Sequence, residues 1–151
     1  MKIAICEDSK TDLKMIRERL EKTSLPKDTE WSMFTDGKAL LNSFETGEKF
    51  DMVFLDVDMP GLNGIEIGNR IYEMDKKTII IFISNYPQFA IEAFDCNAFH
   101  YLLKTDPNEK IENVIRGALA FYKNSHADYV ARGNDGALRI PIADICYIES
   151  F

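Results

Sequence analysis

The sequence predicts a doubly wound α/β domain, a five-stranded parallel sheet with helices on both faces, followed by a short β-type C-terminal extension. Three observations predict it. Five short apolar runs alternate with stretches whose apolar residues recur at helical spacing. The clearest runs, Met52–Leu55 and Ile79–Ile83, are continuously apolar, as in strands covered on both faces, rather than alternating. Four of the runs end on a charged or hydroxyl residue at the point where turn residues begin.

In chain order, Lys2–Cys6 is a short strand ending in Glu7-Asp8, and Ser9 is placed to cap the helix that follows. Leu13, Ile16 and Leu20 give that helix an apolar stripe, and Pro26 lies beyond its end. Trp31–Phe34 reads as a second strand, with weak alternation. Ala39, Leu40 and Phe44 mark a short second helix closing near Gly47. The Met52–Leu55 strand leads into Asp56-Val57-Asp58 and a Pro60–Gly64 loop. Next comes a helix with Ile67, Ile71 and Met74 on one face. Residues 78–83 form the fourth strand, ending at Ser84-Asn85, and Pro87 opens a helix bearing Ala90, Ala93 and Phe94. Residues 98–103 form the fifth strand, ending at Lys104. Ile111, Val114, Ile115, Ala118, Leu119 and Tyr122 form the stripe of the fifth helix.

Composition bounds the function. The 151 residues suit one domain, and 46% hydrophobic with 28% charged residues is ordinary for a globule with a sizeable core. A net charge of −7 argues against nonspecific nucleic-acid binding by this chain. Cys6, Cys96 and Cys146 are odd in number, far apart and without a Cys-x-x-Cys pair, so reduced thiols are expected. The N-terminal apolar run is too short for a secretion signal, and no run approaches a membrane span. A cytoplasmic protein with no membrane partner is expected.

The polar strand ends carry the chemistry. If the strands are ordered 2-1-3-4-5, the crevice of the sheet opens between the first and third strands. Glu7, Asp8 and Asp56 then converge there. Carboxylates so close resist ionising unless a cation joins them, and an oxygen-only donor set suits Mg²⁺. Zinc does not fit, since neither His100 nor His126 lies near a second soft ligand. Mg²⁺ beside a carboxylate, the Ser84 hydroxyl and the Lys104 ammonium suggests phosphoryl transfer, with Asp56 as a nucleophile forming an aspartyl-phosphate. Taken singly, each residue has a plainer reading. Asp56 could cap a turn, Glu7-Asp8 could complement a helix dipole, Ser84 could cap a helix, and Lys104 could be a solvated charge.

Four motifs in register resemble a response-regulator receiver domain: Glu7-Asp8; the run Phe54-Leu55-Asp56-Val57-Asp58-Met59-Pro60-Gly61-Leu62-Asn63-Gly64; Ser84; and Tyr101-Leu102-Leu103-Lys104. The resemblance covers residues 1–123 and implies a flavodoxin-like receiver fold. It implies Asp56 as phosphoacceptor, and Glu7, Asp8, Asp56 and the backbone carbonyl of Asp58 as Mg²⁺ ligands. It further implies Ser84 as the switch hydroxyl, Lys104 as the phosphate-binding lysine and Tyr101 as the aromatic that turns inward on activation. A sensor histidine kinase is the implied partner. Phosphorylation would pair two receivers through the fourth helix, fifth strand and fifth helix. Beyond accepting and losing its phosphoryl group, no enzyme activity is implied.

Asn85-Tyr86-Pro87-Gln88-Phe89-Ala90-Ile91-Glu92-Ala93-Phe94 is similar to the fourth helix of LytTR-type regulators. The tail Arg139–Ser150 resembles the opening strands of their DNA-binding domain. Residues 124–151 are therefore expected to be a linker and the start of that domain, with two strands around Gly133-Asn134-Asp135-Gly136. DNA contact and transcription regulation would come only through the missing remainder. Departures from the family pattern are Thr105-Asp106 before Pro107, where proline usually follows the lysine directly, and the bulk of Asn85 and charge of Asp58 near the phosphosite. Two other functions compete. Asp56-x-Asp58 also resembles the motif of haloacid-dehalogenase-like phosphohydrolases. A flavin-binding module would share the topology, but Glu7-Asp8 would repel the flavin phosphate.

Overall fold

The computed structural model describes residues 1–125, and the backbone of 128–133 and 136–141. The elements are β1 (Lys2–Cys6), α1 (Lys10–Leu20), β2 (Glu30–Phe34), α2 (Gly37–Glu45), β3 (Met52–Leu55), α3 (Gly64–Met74) and β4 (Ile79–Ser84). A 3₁₀ turn (Pro87–Phe89), α4 (Ala90–Asp95), β5 (His100–Leu103) and α5 (Asn108–Ser125) complete the domain, and β6 (Asp128–Gly133) and β7 (Gly136–Pro141) follow. The first five strands form one sheet in the order β2-β1-β3-β4-β5, every pair parallel. This is the predicted doubly wound fold.

Side-chain alternation divides the core in two. Ala4, Cys6, Val53, Leu55, Ile80, Phe82 and Tyr101 face α2, α3 and α4, where they meet Leu40, Phe44, Ile67, Ile71 and Ala93. Ile3, Ile5, Met52, Phe54, Ile81, Ile83 and Leu102 face α1 and α5, against Leu13, Ile16, Leu20, Ile111, Ile115 and Ala118. Both faces are buried, so both parities must be apolar. That is the physical origin of the continuous runs in β3 and β4. Each large side chain contributes about 1.5–3 kcal/mol on burial, and the strand register is fixed accordingly.

Caps set where the helices begin. Ser9 Oγ accepts from the Asp12 N–H at 3.3 Å, Asp36 accepts from the Lys38 N–H at 2.9 Å, and Asn63 accepts from the Ile65 N–H at 2.8 Å. Expectation and structure differ in four places. Thr78 precedes β4 rather than opening it, and its hydroxyl donates to the Phe50 carbonyl. Met74, the last residue of α3, is exposed. Pro87 opens a 3₁₀ turn, leaving α4 only six residues, with Phe94 outside. β5 opens at His100 rather than at residue 98, and His100 is half-buried, with burial lowering its pKa.

The expected C-terminal strands are present as an antiparallel pair whose register brings Gly133 opposite Gly136. Residues 134–135 and 142–151, with most of the tail that resembles a DNA-binding domain, lie outside the described residues. Among the described residues, no helix is long and apolar enough to cross a membrane.

Candidate functional site

The register aligns the carboxyl ends of the strands. Cys6 lies opposite Phe34 on one side and Leu55 on the other, and Ser84 lies opposite Leu103. The ladder continues one residue further. The Glu7 N–H donates to the Phe34 carbonyl, that of Asp56 to Cys6 and that of Lys104 to Ser84, each within 2.9–3.0 Å. The first residue past each strand is therefore held as firmly as the strand itself. The order of strand addition reverses between β1 and β3, and the crevice there receives the side chains.

Glu7, Asp8 and Asp56 each bring a carboxylate oxygen to within 4.8 Å of the others. Glu7 and Asp56 are buried, whereas Asp8 is exposed. Lys104, which alone in the sequence could pass for a solvated charge, is 8% exposed. Its Nζ lies 2.6 Å from Glu7 Oε2, 2.8 Å from Asp12 Oδ2 and 3.0 Å from Asp56 Oδ2. The Glu7 contact is an ion pair whose angles do not make a hydrogen bond. Burial works against the Lys104 charge, but Asp12, Glu7 and Asp56 outweigh it and hold the ammonium above the usual lysine range.

One ammonium does not balance this many carboxylates. Burial, with the Asp56 charge beside it, pushes the Glu7 carboxyl up to about 7. Cys6, directly behind the cluster, has its thiol 3.7 Å from Met59 Sδ, and burial pushes its pKa up to about 12. The cluster is short of positive charge, and its donors are all hard oxygens. These residues fit a divalent cation of the Mg²⁺ type.

Asp56 is oriented by its own loop. Its Oδ1 accepts from the Val57 N–H at 2.7 Å, and the Asp58 N–H lies 3.4 Å away. Gly64 makes this loop possible, since a Cβ there would lie 1.9 Å from the Asp56 carbonyl oxygen. The Asp58 side chain is exposed and neighbours the Tyr86 hydroxyl, which it holds above the usual phenol range.

Ser84 is fully buried, and its Oγ has no hydrogen-bond partner among the described residues. An orphaned buried hydroxyl costs about 1–3 kcal/mol. The Tyr101 hydroxyl is close to it but donates instead to the Tyr86 carbonyl. Tyr101 is 7% exposed, its ring 6.2 Å from that of Phe82, so the residue expected to turn inward stands inward in this structure. The Lys104–Thr105 peptide is trans, as are all the described peptide bonds.

The structure thus brings Glu7, Asp8, Asp56 and Lys104 together and sets the Ser84 hydroxyl at the same rim. Asp12 and Arg19 were not singled out by the sequence. Arg19 Nη1 donates to the Lys104 carbonyl at 2.6 Å, Nη2 donates to the Asp106 carbonyl, and Nε donates to Asn108 Oδ1 at 2.9 Å. The only available signal was their spacing on one helix, Asp12 and Arg19 falling on the same face two turns apart.

Known proteins are similar to this chain in sequence and in fold. A model of the response regulator receiver domain matches residues 3–116. The chain is 34% identical over 87 residues to the transcriptional regulatory protein LytR of Staphylococcus aureus, covering 58% of this chain and 35% of LytR. It is 30% identical over 130 residues to the transcriptional regulatory protein YpdB of Escherichia coli, covering 78% of this chain and 53% of YpdB. The chain thus spans about a third to a half of the length of these relatives. The response regulatory domain of mrkE from Klebsiella pneumoniae superposes with a TM-score of 0.73 at 29% identity, over 82% of this chain and 98% of that one. The phosphohydrolase alternative on Asp56 and Asp58 finds no support in these matches. The chain belongs to the response regulator receiver domain family, the receiving half of a two-component pair, and the relatives it matches are named transcriptional regulatory proteins.

Proposed function

We propose that this receiver is a phosphorylation switch with Asp56 as its acceptor. The observation that carries the reading is the convergence of Asp56, Glu7, Asp8 and Lys104 at one strand-end crevice, beside the unpartnered Ser84 hydroxyl. A sensor histidine kinase presents phosphohistidine, and an Asp56 oxygen attacks phosphorus. The P–O bond forms as the P–N bond breaks, and the imidazole leaves carrying its proton. Glu7, Asp8, Asp56 and the Asp58 carbonyl would hold Mg²⁺, which would supply charge neutralisation to the transferring oxygens. Lys104 exchanges carboxylate oxygens for a phosphoryl oxygen, and Ser84 donates its hydroxyl to another.

The acyl phosphate carries about 1.5–2 negative charges in place of the single charge of the Asp56 carboxylate. Ser84 is the last residue of β4 and leads through the 3₁₀ turn into α4, so capture of its hydroxyl pulls on the segment that carries Tyr86, the acceptor of the Tyr101 proton. Output follows at the α4–β5–α5 face, where Ile91 is 77% and Phe94 53% exposed, and where two phosphorylated receivers pair. In the longer protein, that pairing sets two LytTR-type DNA-binding domains on neighbouring half-sites, the β6–β7 strands belonging to the start of such a domain.

The test is intact mass after incubation with acetyl phosphate and Mg²⁺. One added phosphoryl group is expected on the wild type, removable by hydroxylamine and absent from Asp56→Ala. An adduct that persists in Asp56→Ala would place the acceptor elsewhere.

A further inference from the structure

The segment carrying Lys104 is fastened to α1 twice. Asp12, in the first turn of the helix, takes the Lys104 ammonium. Arg19, near its end, takes the Lys104 backbone, and with it the Asp106 carbonyl and the Asn108 side chain. One guanidinium therefore spans the whole turn between β5 and α5. Its planar fork holds two carbonyls and an amide oxygen from three separate nitrogens in a fixed geometry, whereas an ammonium donates from a single point. All three acceptors are neutral oxygens, so what Arg19 provides is geometry rather than charge balance.

The turn needs that geometry. Thr105 is exposed, and Pro107 comes only at the third position after the lysine, so proline does not fix the peptide next to Lys104. Within the turn, Asp106 Oδ2 accepts from the Leu103 N–H at 2.8 Å and pairs with Lys110 at 2.7 Å, which orders Asp106 but leaves the Lys104 carbonyl alone. Arg19 holds that carbonyl. The Lys104 stem is long, and a rotation at its root moves Nζ by more than a hydrogen-bond length.

We propose that Arg19 is a positioning residue for Lys104. From α1 it fixes the backbone from which the ammonium reaches the phosphoryl group, a role that rests on the reading of Asp56 as acceptor. Loss of Arg19 leaves the lysine present but misplaced, and misplacement by about 1 Å is enough to slow a positioned reaction by up to about 100-fold.

The experiment is a double-mutant cycle on this chain, read by intact-mass kinetics with acetyl phosphate and Mg²⁺ and by the affinity for beryllofluoride. Its members are wild type, Arg19→Ala, Lys104→Ala and the double variant, with folding checked by circular dichroism. Arg19→Ala is expected to slow phosphorylation about 10-fold or more and to weaken beryllofluoride binding in step. In the Lys104→Ala background the same change is expected to do nothing further, because a residue that acts through Lys104 has nothing left to position. Arg19→Lys, which keeps the charge but loses the fork, is expected to fall between, and it carries the cycle if Arg19→Ala does not fold. An equal loss in both backgrounds, or none in either, overturns the proposal. Wild type that takes up neither a phosphoryl group nor beryllofluoride brings down the Asp56 reading and this proposal together. A phosphorylated wild type with unchanged Arg19 variants brings down this proposal alone.

Discussion

Helices α1 and α4 flank the same rim and are built in opposite ways. α1 is 11 residues long, is capped by the Ser9 side chain and buries Leu13, Ile16 and Leu20. Its Asp12 and Arg19 grip the Lys104 turn, and Ser24, just past it, hydrogen-bonds Glu112 of α5. α4 has six residues, no side-chain cap and one buried side chain, Ala93. The cation of the site is thus mounted on a stiff support, while its hydroxyl leads into a helix with little to hold it. Motion is cheapest where few buried contacts must break. A switch needs both properties, a fixed point where charge arrives and a soft element that responds.

Removing the stiff side's anchor is expected to have the largest effect. Lys104→Ala leaves Glu7 and Asp56 buried without their counter-ion, at a cost of about 3–5 kcal/mol near pH 8 without Mg²⁺. Urea unfolding measures it, and a loss below about 1 kcal/mol would mean that this side is not held by charge.

Acidity probes the same cluster in the wild type. Folded Glu7, with its pKa raised to about 7, keeps a proton that the unfolded chain, with the ordinary value of 4.5, has released. Its contribution to stability is therefore full below the unfolded value and is lost as pH rises through about 7. Saturating Mg²⁺, which favours the ionised carboxylate, is expected to flatten the slope over that window. An unchanged slope would place the ion away from Glu7.

Smaller still is the cap. Ser9→Ala is expected to cost about 1 kcal/mol, because it orphans the Asp12 N–H and loosens the turn that carries Asp12. On the soft side, Ile91→Ser and Phe94→Ser are expected to change stability by less than about 0.5 kcal/mol. They should nonetheless abolish self-association of the phosphorylated chain, read by sedimentation. A large stability loss from either would show that α4 is not the loosely held element.

The strands and most of the rim were legible in the sequence for one reason. A parallel strand buried on both faces is apolar throughout, so Glu7, Asp56, Ser84 and Lys104 stand out as the first polar residues after such runs. Asp12 and Arg19 escaped because their meaning lies in partners 92 and 85 residues away, and on their own helix they read as surface charge. Length was misjudged at α4, where Pro87 is compatible with both a 3₁₀ turn and an α-helical first turn. The inward stance of Tyr101 was also out of reach, since an aromatic in an edge strand can pack either way.

The buried thiols give the comparison a time axis. Cys6 sits behind the carboxylate cluster and Cys96 at the end of α4, and burial raises the pKa of both. With a pKa of about 12, on the order of one Cys6 thiol in 10⁵ is ionised at pH 7, and a shielded thiol is alkylated only during an excursion that bares it. Alkylation followed peptide by peptide therefore counts two kinds of opening in the same tube. Cys6, within the sheet, should keep the slower clock, and phosphorylation should change the rate of the one at α4.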